Sequence, residues 1–208
     1  MGEVFALAFT AFFVTIDPIG LVPVFIGLTH GVDSARRRQF AIRGVLVGGS
    51  ILLLFALLGE RLLGVLGIGM PAFRIAGGLL LLAIGFEMVF ERRSERRAGS
   101  AESLRDEQYF QDISVFPLAI PLLAGPAAIT TAVLQTGAHA GDLAGQAVVL
   151  AAMLIVLAMV AASLLASTLV ASMIGPKLVA VMSRLLGLVL SALAVQQVID
   201  GLKAAFGL

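Results

Sequence analysis

The chain reads as an all-α membrane protein with six transmembrane helices, arranged as two inverted three-helix repeats, in which helices one and four are discontinuous at mid-membrane. Three observations predict this class. Hydrophobic residues make up 60% of the chain and charged residues 13%, against roughly half and a quarter in soluble domains. Six apolar runs are separated by charges or turn signals, each near the roughly 20 residues that cross a bilayer. Two of those runs carry proline and glycine at mid-length, where freed backbone groups need protein or a polar cavity to satisfy them.

Span one, Val4–Leu28, holds the most informative feature, Asp17-Pro18 followed by Gly20 and Pro23. A carboxylate at the bilayer centre costs about 2.5–3.5 kcal/mol on insertion scales, so something must compensate it. Pro18 and Pro23 each remove a backbone donor, and Gly20 loosens the chain between them. A broken helix lining something polar is expected. Asp17-Pro18 equally suits a helix start, because Asp is a preferred N-cap and Pro a preferred first residue. The two roles are compatible. Thr15 offers either a hydroxyl ligand or a bond back to its own helix.

Span two, Phe40–Gly59, carries Gly44-x-x-x-Gly48, and span three, Pro71–Phe90, carries Gly77-Gly78; both read as close-packing sites. Arg74 and Glu87 lie near opposite ends of span three. The segment Glu91–Asp112 is hydrophilic, with Glu and Arg intermixed, and reads as a solvated linker. Span four, Ile113–Thr136, is broken like span one, by Pro117, Pro121 and Gly125-Pro126. Its Ala127-Ala128-Ile129-Thr130-Thr131 forms a small-residue surface ending in two hydroxyls. Span five, Gln146–Val170, has the series Ala158, Ala162, Ala166, expected to pack closely. Span six, Leu178–Ile199, contains Arg184 and the pair Gln196-Gln197, which would bond between helices or line a cavity, with Asp200 at its end. His30 and His139 fall in loops on opposite sides, expected to be exposed and too far apart to share a metal.

The whole chain is then one integral membrane domain: repeat one over 1–90, a charged linker over 91–112 and repeat two over 113–208. Arg36, Arg37, Arg38 and Arg43 follow span one, Arg92, Arg93, Arg96, Arg97 and Arg105 follow span three, and Lys177 and Arg184 follow span five. The opposite side has Arg61, Arg74 and Lys203. The positive-inside rule puts the first group in the cytoplasm and both termini outside. The first residues lack a basic leader, carry Glu3 and enter an apolar run too long for a cleavable signal peptide.

Three spans per half make the halves inverted if they are homologous. Aligning Pro18 with Pro126 sets Asp17 against Gly125, and an Arg-x-x-Gly-x-x-Leu pattern recurs as Arg74, Gly77, Leu80 and Arg184, Gly187, Leu190. Two discontinuous helices at corresponding places point to a transporter site at the repeat interface. Half-helix N-termini present N–H groups and a positive dipole end to an anion, while unwound carbonyls and a carboxylate hold a cation. Such parts suit a zwitterion, or a small polar solute bound together with Na⁺ or H⁺. The candidate binding residues are Thr15, Asp17, Pro18, Gly20, Gly125, Pro126, Thr130 and Thr131. Arg74 and Arg184 are candidate gates, with snorkelling to the nearer interface as the alternative for each.

Other functions are disfavoured. A net charge of +1 leaves no basic face for nucleic acid. There is no cysteine, the one tyrosine, Tyr109, is in the linker, and no histidine–acid or serine–lysine pair has useful helical spacing. No enzyme activity, metal or cofactor beyond a coupling ion is therefore expected. A channel would show polar rings along several helices, whereas polarity here gathers at two breaks. A membrane assembly or structural protein without transport activity is the remaining alternative, and the glycine-rich faces would suit a homo-oligomer.

Four segments, Thr15-Ile-Asp17-Pro18-Ile-Gly20-Leu-Val-Pro23, Phe73-Arg74-Ile-Ala-Gly77-Gly78, Pro121-Leu-Leu-Ala-Gly125-Pro126-Ala-Ala-Ile129-Thr130 and Arg184-Leu-Leu-Gly187, together resemble the MarC family of bacterial inner-membrane proteins. The resemblance covers essentially the whole chain. It implies a six-span, inverted-repeat transporter of the bacterial inner membrane, related to the SnatA branch that moves small neutral amino acids such as glycine and alanine. It also implies a substrate site at Asp17-Pro18-x-Gly20 and Gly125-Pro126. One departure is Ala127, where the family pattern leads one to expect glycine; a methyl there would narrow the approach to the backbone and bear on substrate size.

Overall fold

The computed structural model describes residues 1–29, 32–90, 113–167 and 176–207, with no side chains for 176–179. His30, the linker Glu91–Asp112 with its arginines and Tyr109, Val170 and the Lys177 side chain lie outside the described residues. The elements are α1 (Gly2–Ile16), α2 (Pro18–Leu28), α3 (Ser34–Val65), α4 (Met70–Val89), α5 (Ser114–Leu123), α6 (Pro126–Gly137), α7 (Leu143–Leu165) and α8 (Pro176–Phe206). Five spans, α1 with α2, α3, α4, α7 and α8, are long and apolar enough to cross a bilayer. The pair α5–α6, bent by 57°, makes a sixth when counted as one span. This is an all-α membrane protein, discontinuous in its first and fourth spans.

Several helices run past the ends that the sequence predicts. Asp33 caps α3 by accepting from the Arg36 amide at 3.0 Å, and no proline interrupts the chain from there to Val65. Arg36, Arg37, Arg38 and Arg43 therefore lie on the first turns of α3 and not in a connection. At 32 residues that helix rises about 48 Å, well beyond the hydrocarbon core. Asp142 starts α7 ahead of the expected Gln146 by accepting from the Ala144 amide at 3.1 Å, and α8 continues beyond Ile199 to Phe206. Gly67 and Gly141, with φ of 69° and 83°, turn the chain after α3 and before α7.

The fourth span is less regular than a kinked helix. Phe116 and Ile120, each preceding a proline, adopt extended φ/ψ of −133°/122° and −127°/124°, as the clash with the following ring demands. The peptide bonds to Pro117 and Pro121 are cis. Amides of Leu118 and Ala124 reach five residues back, to Ile113 and Ala119. This irregular α5 lies on the small-residue face of α3, where Gly44 meets Leu118 and Gly48 meets Leu123 and Ala119.

The most extensive packing joins α4 to α8. Gly78 there meets Ala194 and Val198, Gly85 meets Gly187 and Ser191, and Gly201 meets Ile75 and Pro71. Close backbone approach at small residues is how helices associate without a hydrophobic drive. Gly77 instead seats α4 on Thr130 and Leu134 of α6. A larger core joins α1 and α2 to α7 through Phe12, Ile16, Leu21 and Phe25 with Met153, Val156 and Val160. On α7 the expected alanine series is not the packed face. Ala158 and Ala162 are exposed, and the helix buries Val149, Ala152, Met153, Val156, Val160 and Leu164. Both faces of that helix are apolar, so size alone does not decide which one meets lipid.

Most of these packings come in pairs when the two halves are exchanged. With each broken span taken as a unit, α1–α2 on α7 matches α5–α6 on α3, and α1–α2 on α8 matches α5–α6 on α4. The pairs α4 with α8 and α3 with α7 each map onto themselves. Among the described residues, α1 on α6 and α6 on α7 have no counterpart of similar extent.

Candidate functional site

Asp17 ends one helix and starts the next. Its backbone is left-handed (φ 60°, ψ 70°), the only positive φ outside glycine among the described residues. Its amide still donates to the Phe13 carbonyl at 2.9 Å, and its carbonyl accepts from Leu21 at 3.1 Å. Its Oδ1 accepts from the Gly20 amide at 3.0 Å, so the carboxylate caps α2. The left-handed conformation costs about 1–2 kcal/mol and the cap returns about 1 kcal/mol. Asp tolerates this region better than most residues because its short polar side chain bonds locally. A Cβ on Gly20 would land on that carboxylate, which explains a glycine there. Asp17 is 4% exposed and Pro18 is buried behind it.

The start of α6 is built differently. Gly125, with extended ψ of 169°, precedes Pro126 at the first helical position, and no side chain caps the helix. The carbonyl of Gly125 takes the first helical bond, from Ile129 at 3.0 Å. The next amides, of Ala127 and Ala128, are buried without a side-chain cap. Uncapped amides and the dipole make this end electropositive. By contrast, the matching end of α2 carries the Asp17 carboxylate, whose full charge outweighs the half charge of the helix end. The two breaks are thus opposite poles.

Thr131 adds a second signal. Three other buried threonines, Thr15, Thr29 and Thr136, donate to the carbonyl four residues back at 2.8, 2.7 and 2.8 Å. Thr131 is just as buried, yet its Oγ1 has no hydrogen-bond partner among the described residues. A buried hydroxyl left alone costs about 1–3 kcal/mol, so it invites a ligand or water. Thr130, on the same turn, faces Gly77 with its methyl.

Helix α1 packs on α6 and brings the breaks onto adjoining elements. Ile16 and Leu21, flanking Asp17, share the larger core with Ala124 and Ala128, flanking Gly125. Val14 and Ala127 share a smaller core with Leu81, Ile84, Met88, Leu190 and Ala194. The Ala127 methyl is therefore engaged in helix packing.

Thr15 bonds to Ala11 of its own helix. Arg74 is half-buried on α4, one turn before Gly77, and Arg184 is exposed on α8, one turn before Gly187. The structure does not leave His139 exposed: it is half-buried, with Nδ1 3.1 Å from the Gln135 carbonyl. Gln196 donates to Asp200 of its own helix at 2.8 Å, and makes no bond to another helix among the described residues.

Two recesses escaped the sequence reading. One, of about 400 Å³, is lined by Ser34, Arg37, Arg38, Leu164, Leu165 and Ser167. The other, of about 50 Å³, is lined by Ala56, Leu57, Glu60, Thr136, Gln146 and Leu150. They sit at opposite ends of α3 and α7, beside the far ends of α2 and α6. The arginine run was the available signal for the first; Glu60 with Gln146, distant in sequence, offered none.

The family model for MarC family integral membrane proteins matches residues 2–206. A UPF0056 membrane protein of Methanocaldococcus jannaschii is 38% identical over 204 residues, covering 98% of each chain. The UPF0056 membrane protein YhcE of Escherichia coli is 32% identical over 95% of this chain and 91% of its own. YvbG of Bacillus subtilis, also a UPF0056 membrane protein, is 30% identical over 95% and 93%. No solved structure matches this chain.

Proposed function

The chain belongs to the MarC family of integral membrane proteins, and from that premise we propose that it is a secondary transporter of a small neutral amino acid of the glycine and alanine class, or of a similarly small polar solute. The observation that carries this reading is the pair of opposite poles on α1–α2 and α6. The carboxylate of Asp17 suits an ammonium group or a coupling Na⁺ or H⁺, and the uncapped amides of Ala127 and Ala128, with the Thr131 hydroxyl, suit a carboxylate. Pro18, Gly20, Gly125 and Pro126 shape the backbone between them. Flanking side chains are small or tightly packed, which favours a solute of a few heavy atoms.

The burial of Thr15, Asp17, Thr130 and Thr131 supports a carrier with an occluded site over an open pore. The paired packings of the two halves support inverted repeats, and alternating access would rock one half against the other around the site. We read Arg74 and Arg184 as gate candidates on the paired helices α4 and α8. The protein on this reading is not an enzyme, needs no cofactor beyond the coupling ion, and is akin to SnatA-type carriers. The positive-inside rule supports an inner (plasma) membrane orientation with both termini outside.

Competition by fragments of the substrate tests the zwitterion site. Labelled alanine should bind the purified protein saturably and be displaced by glycine, whereas propionate and ethylamine, each lacking one charged group, should compete at least tenfold less well. Equal competition by either fragment would remove one of the two poles.

A further inference from the structure

The recess at the start of α3 carries a second site. We propose that it binds the phosphate group of an anionic phospholipid, a role independent of solute transport. Its lining brings Arg37 and Arg38 together with Ser34 and the buried Ser167, and no carboxylate is among the described lining residues. Arg37 is partly buried and held in place: its Nη2 donates to the Thr29 carbonyl, at the end of α2, at 3.3 Å. That bond leaves its Nε, buried and without a hydrogen-bond partner among the described residues, as a donor for something else. The nearby Asp33 carboxylate is turned to the Arg36 amide at 3.0 Å. Two guanidinium groups with two hydroxyls make a phosphate-type donor set, because guanidinium forks match the geometry of phosphate oxygens.

A lipid, as opposed to a soluble phosphate, is favoured by what lies beside the charges. Arg38, Ile42 and Leu46 are spaced four residues apart on α3, and all are exposed; Ile42 is 40% and Leu46 65% exposed. Leu165, from the lining of the same recess, is 46% exposed. A headgroup held by the arginines would lay its acyl chains along this apolar strip. The arginine-rich end of α3 is also the face that the positive-inside rule assigns to the cytoplasm, where basic pockets between helices take anionic headgroups. The recess at the other end of α3 and α7 is an internal control. It is about 50 Å³, contains Glu60 and has no arginine among its described lining residues.

Thermal unfolding in detergent, with lipid added, tests the assignment. Phosphatidylglycerol should raise the unfolding midpoint saturably, while phosphatidylcholine and inorganic phosphate should not. Arg38→Gln, which leaves the Arg37–Thr29 bond untouched, and the double variant Arg37→Gln/Arg38→Gln should bind phosphatidylglycerol progressively more weakly, the double by about tenfold or more. Glu60→Gln should match the native protein. Equal effects of the two lipids, or native-like binding by a folded double variant, would overturn the proposal. Stabilisation by inorganic phosphate alone would assign the recess to a soluble anion and overturn its lipid part.

Discussion

At the residue scale, Asp17 caps α2 and, on the proposed reading, supplies the negative pole of the site, and substitution separates the two. Asn caps helices as well as Asp and is also enriched in the left-handed region. Asp17→Asn should therefore change stability by no more than about 0.5 kcal/mol while removing the negative pole. Asp17→Ala loses the cap and keeps the strained backbone, so SDS-titrated unfolding should show about 2–3 kcal/mol of destabilisation. Equal destabilisation by both would mean that charge, not capping, holds the break together. Thr131→Val should move stability and binding in opposite directions. Removing an unpartnered buried hydroxyl should leave stability unchanged or raise it by up to about 1 kcal/mol, while alanine affinity falls by about tenfold. Unaltered affinity would take Thr131 out of the site. Asp17 was legible in the sequence because an acid before a proline in an apolar run both breaks a helix and needs compensation in the bilayer. Thr131 stood in the sequence only as one of two adjacent hydroxyls, since whether it bonds back to its helix depends on what surrounds it.

At the scale of elements, glycine positions divide by what a methyl would meet. A Cβ at Gly85 would press on the Gly187 carbonyl and the Ser191 amide, backbone atoms that cannot step aside. Gly64, near the end of α3, has open space around it. Gly85→Ala should destabilise by about 1–3 kcal/mol, and Gly64→Ala should be neutral or stabilise by up to about 1 kcal/mol; unfolding of both in the same detergent checks the contrast. The Gly44, Gly48, Gly77 and Gly78 contacts were foreseeable from small-residue spacing, and the breaks at Pro18 and Pro126 from proline chemistry. The exposed Ala158 and Ala162 were not, because α7 is apolar on every face and periodicity has nothing to contrast. The length of α3 was hidden for a different reason. Its arginines read as a loop, although Asp33 was a cap in plain view.

At the scale of the whole molecule, a broken first span and a more strongly broken fourth span pack together through α1 and α6, and on the proposed reading the solute binds between their breaks. The orientation is directly checkable, because the chain has no cysteine of its own. Ala140→Cys, in the turn after α6, should react with an impermeant maleimide on intact cells, and Arg36→Cys only after permeabilisation. The reverse pattern would invert the proposed orientation and move the phospholipid site to the outer leaflet. On the proposed reading, alternating access would rock one half against the other, with α1–α2 on α7 and α5–α6 on α3 as the paired packings. The most direct test is counterflow of labelled glycine or alanine into proteoliposomes, comparing native protein with Asp17→Asn. Native protein should show saturable uptake, and a variant that unfolds like the native one should lose it. Uptake that survives Asp17→Asn unchanged, or no uptake of either amino acid by folded native protein, would contradict the transporter reading.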